Sequence, residues 1–162
     1  MQNHKETLAV CDANILIDYV TADEAIIKEL CTYWKKVLVP DFVLHEVKLI
    51  SADKAEQLGL TIIETPLLDL QRLPGLSLQD SACLYFVREN HAVCLSNDVK
   101  LRAMCIKENV ETVWGLEMLL FLVKEKQITK TRAKNIARGI HKINALIIID
   151  VLSDFMEKMK KS

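Results

Sequence analysis

A chain of 162 residues, 51% of them hydrophobic, is long enough to bury a core of its own, with ~70% of the unfolded surface removed on folding, and fits a single domain over 1–162. No apolar run approaches the ~20 residues of a membrane span, and the opening MQNHKETLAV has neither a basic stretch nor a long apolar one, so a soluble, cytoplasmic protein is expected. The formal net charge of −1 conceals an asymmetry: Met1 to Val123 carries 11 basic against 18 acidic residues, and Lys124 to Ser162 carries 10 against 4.

The first element is the apolar run Leu8 to Cys11, which stops at Asp12. Ile15, Leu16, Tyr19 and Val20 then recur at helical spacing, the pattern of a buried strand that delivers a carboxylate to the start of a helix. Thr21 to Glu24 has the spacing of a capping box, which predicts a second helix through Ile26, Ile27, Leu30 and Trp34. Val37 to Val39 reads as a strand ended by Pro40, and Asp41 as the cap of a helix DFVLHEVKLI. A helix from about Ala52 to Leu58 stops at Gly59, Thr61 to Ile63 reads as a strand, and Leu70 to Gly75 as a loop.

From Ser77 a helix runs to about Asn90, followed by a strand at His91 to Leu95, a turn at Ser96-Asn97-Asp98 and a helix carrying Leu101, Met104 and Cys105. Thr112 to Trp114 is the last strand, and Gly115 leads into LEMLLFLVKEK. This alternation predicts a mainly parallel sheet of four to five strands covered by helices. Beyond Gln127 only helices are expected, one from about Thr129 to Gly139 and another from Lys142 to Lys160. The β-branched run Leu146 to Ile149 is included in the latter because the apolar positions follow a helical period. The five cysteines, at 11, 31, 83, 94 and 105, form no C-x-x-C pair and read as small core residues, with neither a zinc cage nor a disulfide framework.

Four acids stand in places where chemistry gathers. Asp12 and Asp98 directly follow strands, where α/β sheets bind ligands, and either can equally serve as a helix cap. Asp80 lies in the first turn after Ser77, as in a capping box with Asp replacing Glu. Glu46 has Phe42, Val43, Leu49 and Ile50 at i−4, i−3, i+3 and i+4, which places its carboxylate on an apolar helix face and calls for a cation or a metal beside it, the alternatives being that so short a helix exposes that face at its end or that a core arginine pairs with it. If the four converge, their repulsion implies divalent cations, and hard carboxylate oxygens suit Mg²⁺ or Mn²⁺. His45, beside Glu46, projects about 100° away and reads as surface.

These stretches together resemble the PIN-domain ribonucleases, including the VapC-type toxins of bacterial toxin-antitoxin pairs. The resemblance rests on Val10-Cys11-Asp12-Ala13-Asn14-Ile15-Leu16, on Val39-Pro40 before a helix with Glu46, on Gln79-Asp80-Ser81-Ala82, and on Leu95-Ser96-Asn97-Asp98. It extends from about residue 7 to 125, and the helices over about 128–162 resemble the carboxy-terminal additions of some PIN-like bacterial proteins. It implies a three-layer α/β/α fold and an acidic quartet, Asp12, Glu46, Asp80 and Asp98, holding one or two Mg²⁺ or Mn²⁺ ions. Asn14 and Ser96 would orient ligands or substrate. The implied reaction is hydrolysis of RNA phosphodiesters to 5′-phosphate and 3′-hydroxyl ends, with a small antitoxin protein as partner and a homodimer as assembly.

Phosphate contacts dominate RNA affinity, so positive charge is expected near the acids. Arg102, one turn beyond Asp98, can contact phosphate or pair with that acid, the ion pair being the simpler expectation. Over 124–142 seven lysines and arginines face one acid, Glu125, and Lys130, Arg132 and Lys134 are the candidate RNA contacts. Two other readings stay open. One is a phosphoryl-transfer domain of haloacid-dehalogenase or receiver type using Asp12 as nucleophile, although the second Asp of the usual phosphatase motif is missing. The other is a catalytically silent PIN-like module that binds RNA or protein.

Overall fold

The computed structural model describes residues 4–66, 70–144 and 149–161. Five strands, β1 (Leu8–Cys11), β2 (Lys36–Pro40), β3 (Thr61–Ile63), β4 (Val93–Leu95) and β5 (Thr112–Val113), form one sheet in the order β3-β2-β1-β4-β5, with every pairing parallel. β1 is central, with Val10 opposite Leu38 on one side and Cys94 on the other, and both β1 and β4 are apolar throughout because parallel strands are covered on both faces.

The helices are α1 (Ala13–Asp23), α2 (Ile26–Tyr33), α3 (Asp41–Glu46), α4 (Ala52–Gln57), α5 (Leu78–Asn90), α6 (Val99–Lys107), α7 (Gly115–Lys124), α8 (Lys130–Ile143) and α9 (Ile149–Lys160). The steps from β1 to β2 and from β4 to β5 go in opposite lateral directions. Right-handed crossovers therefore put α1 and α2 on one face and α6 on the other, where α5 lies across β2, β1 and β4. The expected three-layer α/β/α architecture is what forms, with a sheet that is wholly parallel.

Several local expectations are corrected. Thr21 caps nothing: its hydroxyl donates to the Ile17 carbonyl at 2.7 Å, so α1 continues to Asp23 and α2 starts at Ile26, with Ala25 at the N-cap position and no side-chain cap. Pro40 belongs to β2 itself. The helix after it ends at Glu46 rather than Ile50, because Val47 leaves helical geometry at ψ 83° and Ser51 then caps α4 through Lys54 N. His91 is the left-handed residue closing α5, and β4 begins only at Val93. Lys142 and Ile143 close α8, α9 spans Ile149–Lys160, and the Leu146 to Ile148 stretch lies outside the described residues.

The last two helices complete the layer over α1 and α7. Arg132 donates from Nε to Asp23 at 2.9 Å and from Nη1 to Glu29 at 2.7 Å, and Asn144 donates to Asp18 at 2.7 Å, so α8 runs antiparallel to α1. Gly139 permits the approach: a Cβ there would stand 3.3 Å from the Ala22 Cβ. α9 follows the course of α7, with Val151 and Phe155 sharing a cleft with Leu116 and Leu120. The described cysteines are all free thiols, and four of the five are buried. Among the described residues no helix is long and apolar enough to cross a membrane.

Candidate active site

Because strand order reverses beside β1, the carboxyl ends of β1 and β4 flank a topological switch point, the usual place for a ligand crevice in such sheets. Asp12 leaves β1 there and Ser96-Asn97-Asp98 leaves β4. The parallel ladder continues one step further, with Asp12 N donating to Leu95 O at 3.1 Å and Ser96 N to Val113 O at 3.1 Å, which fixes the two turns side by side.

Asp12 is 3% exposed and both its oxygens are engaged. Oδ1 accepts from Ile15 N at 3.1 Å as the cap of α1, and Oδ2 accepts the hydroxyl of the fully buried Ser96. Ser96 Oγ in turn accepts from Asp98 N at 3.0 Å, and Asp98 caps α6 by accepting from Leu101 N at 2.8 Å. A single hydroxyl thus ties two of the acids together. Burial lifts the Asp12 carboxyl to about 7, against the Ser96 and Ile15 hydrogen bonds that favour its charged form, with the charges of Asp80 and Asp98 adding to the rise.

Asp80 sits in the first turn of α5, half-buried, and its carboxyl is raised by burial and then by the charge of Asp98. Glu46 closes α3 and is exposed, so the buried-face argument for it fails: with the helix ended, Leu49 is 58% exposed instead of flanking it. Its carboxyl is nevertheless raised, by partial burial and by the charge of Asp80. The four acids therefore sense one another, Asp80 acting on Asp12 and Glu46, and Asp98 on Asp12 and Asp80. Among the described residues no lysine or arginine is within ion-pair distance of any of them, and no three His, Cys, Asp or Glu side chains stand close enough to share one ion.

The neighbours divide between rim and support. Asn14, on the first turn of α1, is exposed beside Asp12. Arg102 makes no ion pair with Asp98, contrary to the simpler expectation. Its Nη1 donates to the Ser96 carbonyl at 3.3 Å, and its guanidinium lies 4.1 Å from the ring centre of the exposed Trp114. Burial lowers its pKa. Asn97 was not singled out by the sequence reading; it is buried, and its Oδ1 accepts from Gly115 N at 3.0 Å, joining the β4 turn to the start of α7. The polar run 96–98 was the available signal for it. Of the candidate RNA contacts on α8, Arg132 is committed to Asp23 and Glu29, Lys130 is exposed and Lys134 is half-buried. The start of α8 stands at the far end of α1 from Asp12.

Ser96→Ala would remove a donor from Asp12 and an acceptor from Asp98 N at once. A loss of about 1–3 kcal/mol is expected, larger at pH 8 than at pH 5, because the hydroxyl supports the ionised carboxylate. Urea melts at the two pH values measure it, and an equal loss at both would show that the bond does not act on the charged form.

The sequence matches no family model and no curated protein. The structure is similar to that of a PilT N-terminus domain protein from the hyperthermophilic archaeon Sulfolobus solfataricus P2, with probability 1.00, a TM-score of 0.55 and 14% identity, over 70% of this chain and 92% of that one. At such identity the likeness is one of architecture, and it agrees with the all-parallel order of five strands and the flanking helices: the chain has the fold of a PIN domain.

Proposed function

We propose that the protein is a metal-dependent endoribonuclease, acting on RNA with Mg²⁺ or Mn²⁺ and serving as the toxin of a toxin-antitoxin pair. PIN folds are typically those of nucleases and typically bind divalent metals. The observation that carries the reading is a dry carboxylate, Asp12, set beside Asp80 and Asp98 at the switch point with no basic partner among the described residues. The toxin role, the antitoxin and the homodimer rest on the resemblance alone.

The donor set suits a hard divalent cation: four carboxylates, with no lysine or arginine in ion-pair distance among the described residues. Since no three of the acids share one point, the fit is to an ion held by one or two carboxylates and otherwise by water and phosphate, the habit of Mg²⁺. Asp12 and Asp98 are the first candidates to hold it, with Asp80 and Glu46 behind. When bound, such an ion activates water and neutralises charge developing on the phosphodiester. Ser96 keeps the Asp12 carboxylate in one orientation, and the exposed Asn14 amide is placed to hydrogen-bond substrate at the rim.

The test is incubation of the protein with mixed-sequence RNA and Mn²⁺. Cleavage leaving 5′-phosphate ends is expected, abolished by chelator and by Asp98→Asn. Metal binding without hydrolysis across a broad RNA panel would instead support the silent module, a reading favoured by the absence of a three-acid cluster among the described residues. The nucleophile reading predicts instead a covalent phospho-Asp12 after incubation with a small phosphodonor, which the hydrolytic reading does not.

A further inference from the structure

The opposite edge of the sheet carries a feature of the contrary sign. α7 starts at the acid edge and spans ten residues, ~15 Å, so its last residue, Lys124, and the start of α8 lie at the amino-terminal edge. There Lys124, Lys126, Lys130 and Lys161, from the ends of three helices and the turn between two of them, line one groove with Gln127 and Thr129, and no acid lines it. Among the described residues none of the four lysines has an ion-pair partner, whereas Lys158 and Lys160 nearby on α9 are paired with Asp154 and Glu157. Four unpaired ammonium groups around one groove repel each other, and an anion spanning them relieves that repulsion.

Three details bear on what the anion is. Thr129 caps α8 by accepting from Arg132 N at 3.1 Å, and this leaves the Lys130 and Thr131 amides, at the positive end of a 14-residue helix, without intrahelical partners. Lys126 adopts a left-handed conformation, φ 59°, in the turn that carries the chain from α7 towards α8, and its side chain lines the groove there. Gln127, which lines the groove beside Thr129, adds an uncharged amide able to hydrogen-bond a phosphodiester or sugar oxygen. Large exposed apolar side chains, which a lipid surface would engage, occur elsewhere and not on this groove.

We infer that the Lys124–Lys126–Lys130–Lys161 groove is a second RNA-binding site, remote from the acids, that holds the phosphate and 2′-hydroxyl backbone of a strand extending beyond the cleavage point. The choice of RNA rests on the function proposed above; the groove itself does not. Such a site acts without base preference and only on RNA long enough to reach from one edge of the molecule to the other.

The experiment compares Lys124→Gln/Lys126→Gln/Lys130→Gln with a charge-matched control, Lys28→Gln/Lys48→Gln/Lys107→Gln, all exposed lysines elsewhere. Binding of a 30-nucleotide single-stranded RNA is followed by fluorescence anisotropy in chelator over a range of salt. Cleavage of a hexamer with Mn²⁺ and the melting temperature are recorded alongside. The groove variant is expected to bind the 30-mer at least ~10-fold more weakly, with a salt slope shallower by about 2, while the control matches wild type. Hexamer cleavage and melting temperature stay unchanged, and the all-DNA 30-mer binds wild type more weakly than the RNA does. Equal 30-mer affinity and slope for wild type and groove variant would overturn the inference. So would loss of binding to phosphatidylserine vesicles with RNA binding intact, which would reassign the groove to membranes. A wild type that binds the 30-mer through the groove yet cleaves no RNA supports this site while removing the nuclease reading, so the two can fail separately.

Discussion

Asp12→Asn is expected to raise the melting temperature of the metal-free protein at pH 8 while lowering Mn²⁺-dependent cleavage by at least ~100-fold. The two effects have one origin. With its carboxyl lifted to about 7 by burial, Asp12 resists ionisation in the folded state, whereas in the unfolded chain it ionises near 4. Below pH 4 both states hold the proton and the residue is neutral in its effect. Between pH 4 and 7 only the unfolded chain releases it, so stability falls as pH rises; above 7 the penalty is complete, at up to about 4 kcal/mol. Asparagine removes that penalty. Its amide oxygen still accepts from Ile15 N, and its amide nitrogen turns the Ser96 hydroxyl from donor into acceptor, a rearrangement costing about 1 kcal/mol because Ser96 already accepts from Asp98 N. A net gain of a few kcal/mol at pH 8, falling to zero near pH 5 and becoming a loss of about 1 kcal/mol near pH 4, is the expected difference between urea melts of the two proteins. A destabilised variant at pH 8 would mean that the buried carboxylate is already compensated.

Mn²⁺ should stabilise the protein by about 2.7 kcal/mol at 100 times its dissociation constant, and that constant should depend on pH. Binding to Asp12 requires the proton to leave. From pH 5 to about 7 the apparent affinity is therefore expected to tighten by nearly tenfold per unit and then level off. Thermal melts with increasing Mn²⁺ at pH 5.5, 6.5, 7.5 and 8.5 give the curve. A constant that does not move with pH would mean that the ion binds without touching this carboxylate.

How much of this was legible in the sequence depends on how local each signal is. Asp12 and Asp98 could be placed because a strand, an acid and the first turn of a helix are contiguous, and both are helix caps at the end of a strand. The sheet was legible for the same reason, as alternating apolar runs and helical periods. Glu46 was placed on a buried face because apolar residues continue to Ile50, yet the chain leaves the helix at Val47, a decision taken by packing around Val43 and Val47 and not by periodicity. Thr21 had the spacing of a cap but bonded backward to its own helix. Arg132 looked like a free cation because its acids, Asp23 and Glu29, are more than 100 positions away along the chain. Nor could the sequence say that the basic segment gathers at the edge of the sheet opposite the acids.

The all-parallel wind has one more consequence. Every strand hands over at the same edge, so the amino-terminal ends of α1, α6 and α7 all open onto it. Each such end carries roughly half a positive charge from its aligned peptides. The backbone itself therefore supplies a diffuse counter-charge to the acids, and with the proton that Asp12 retains near neutrality it lowers the cost of gathering them at one edge of the folded chain.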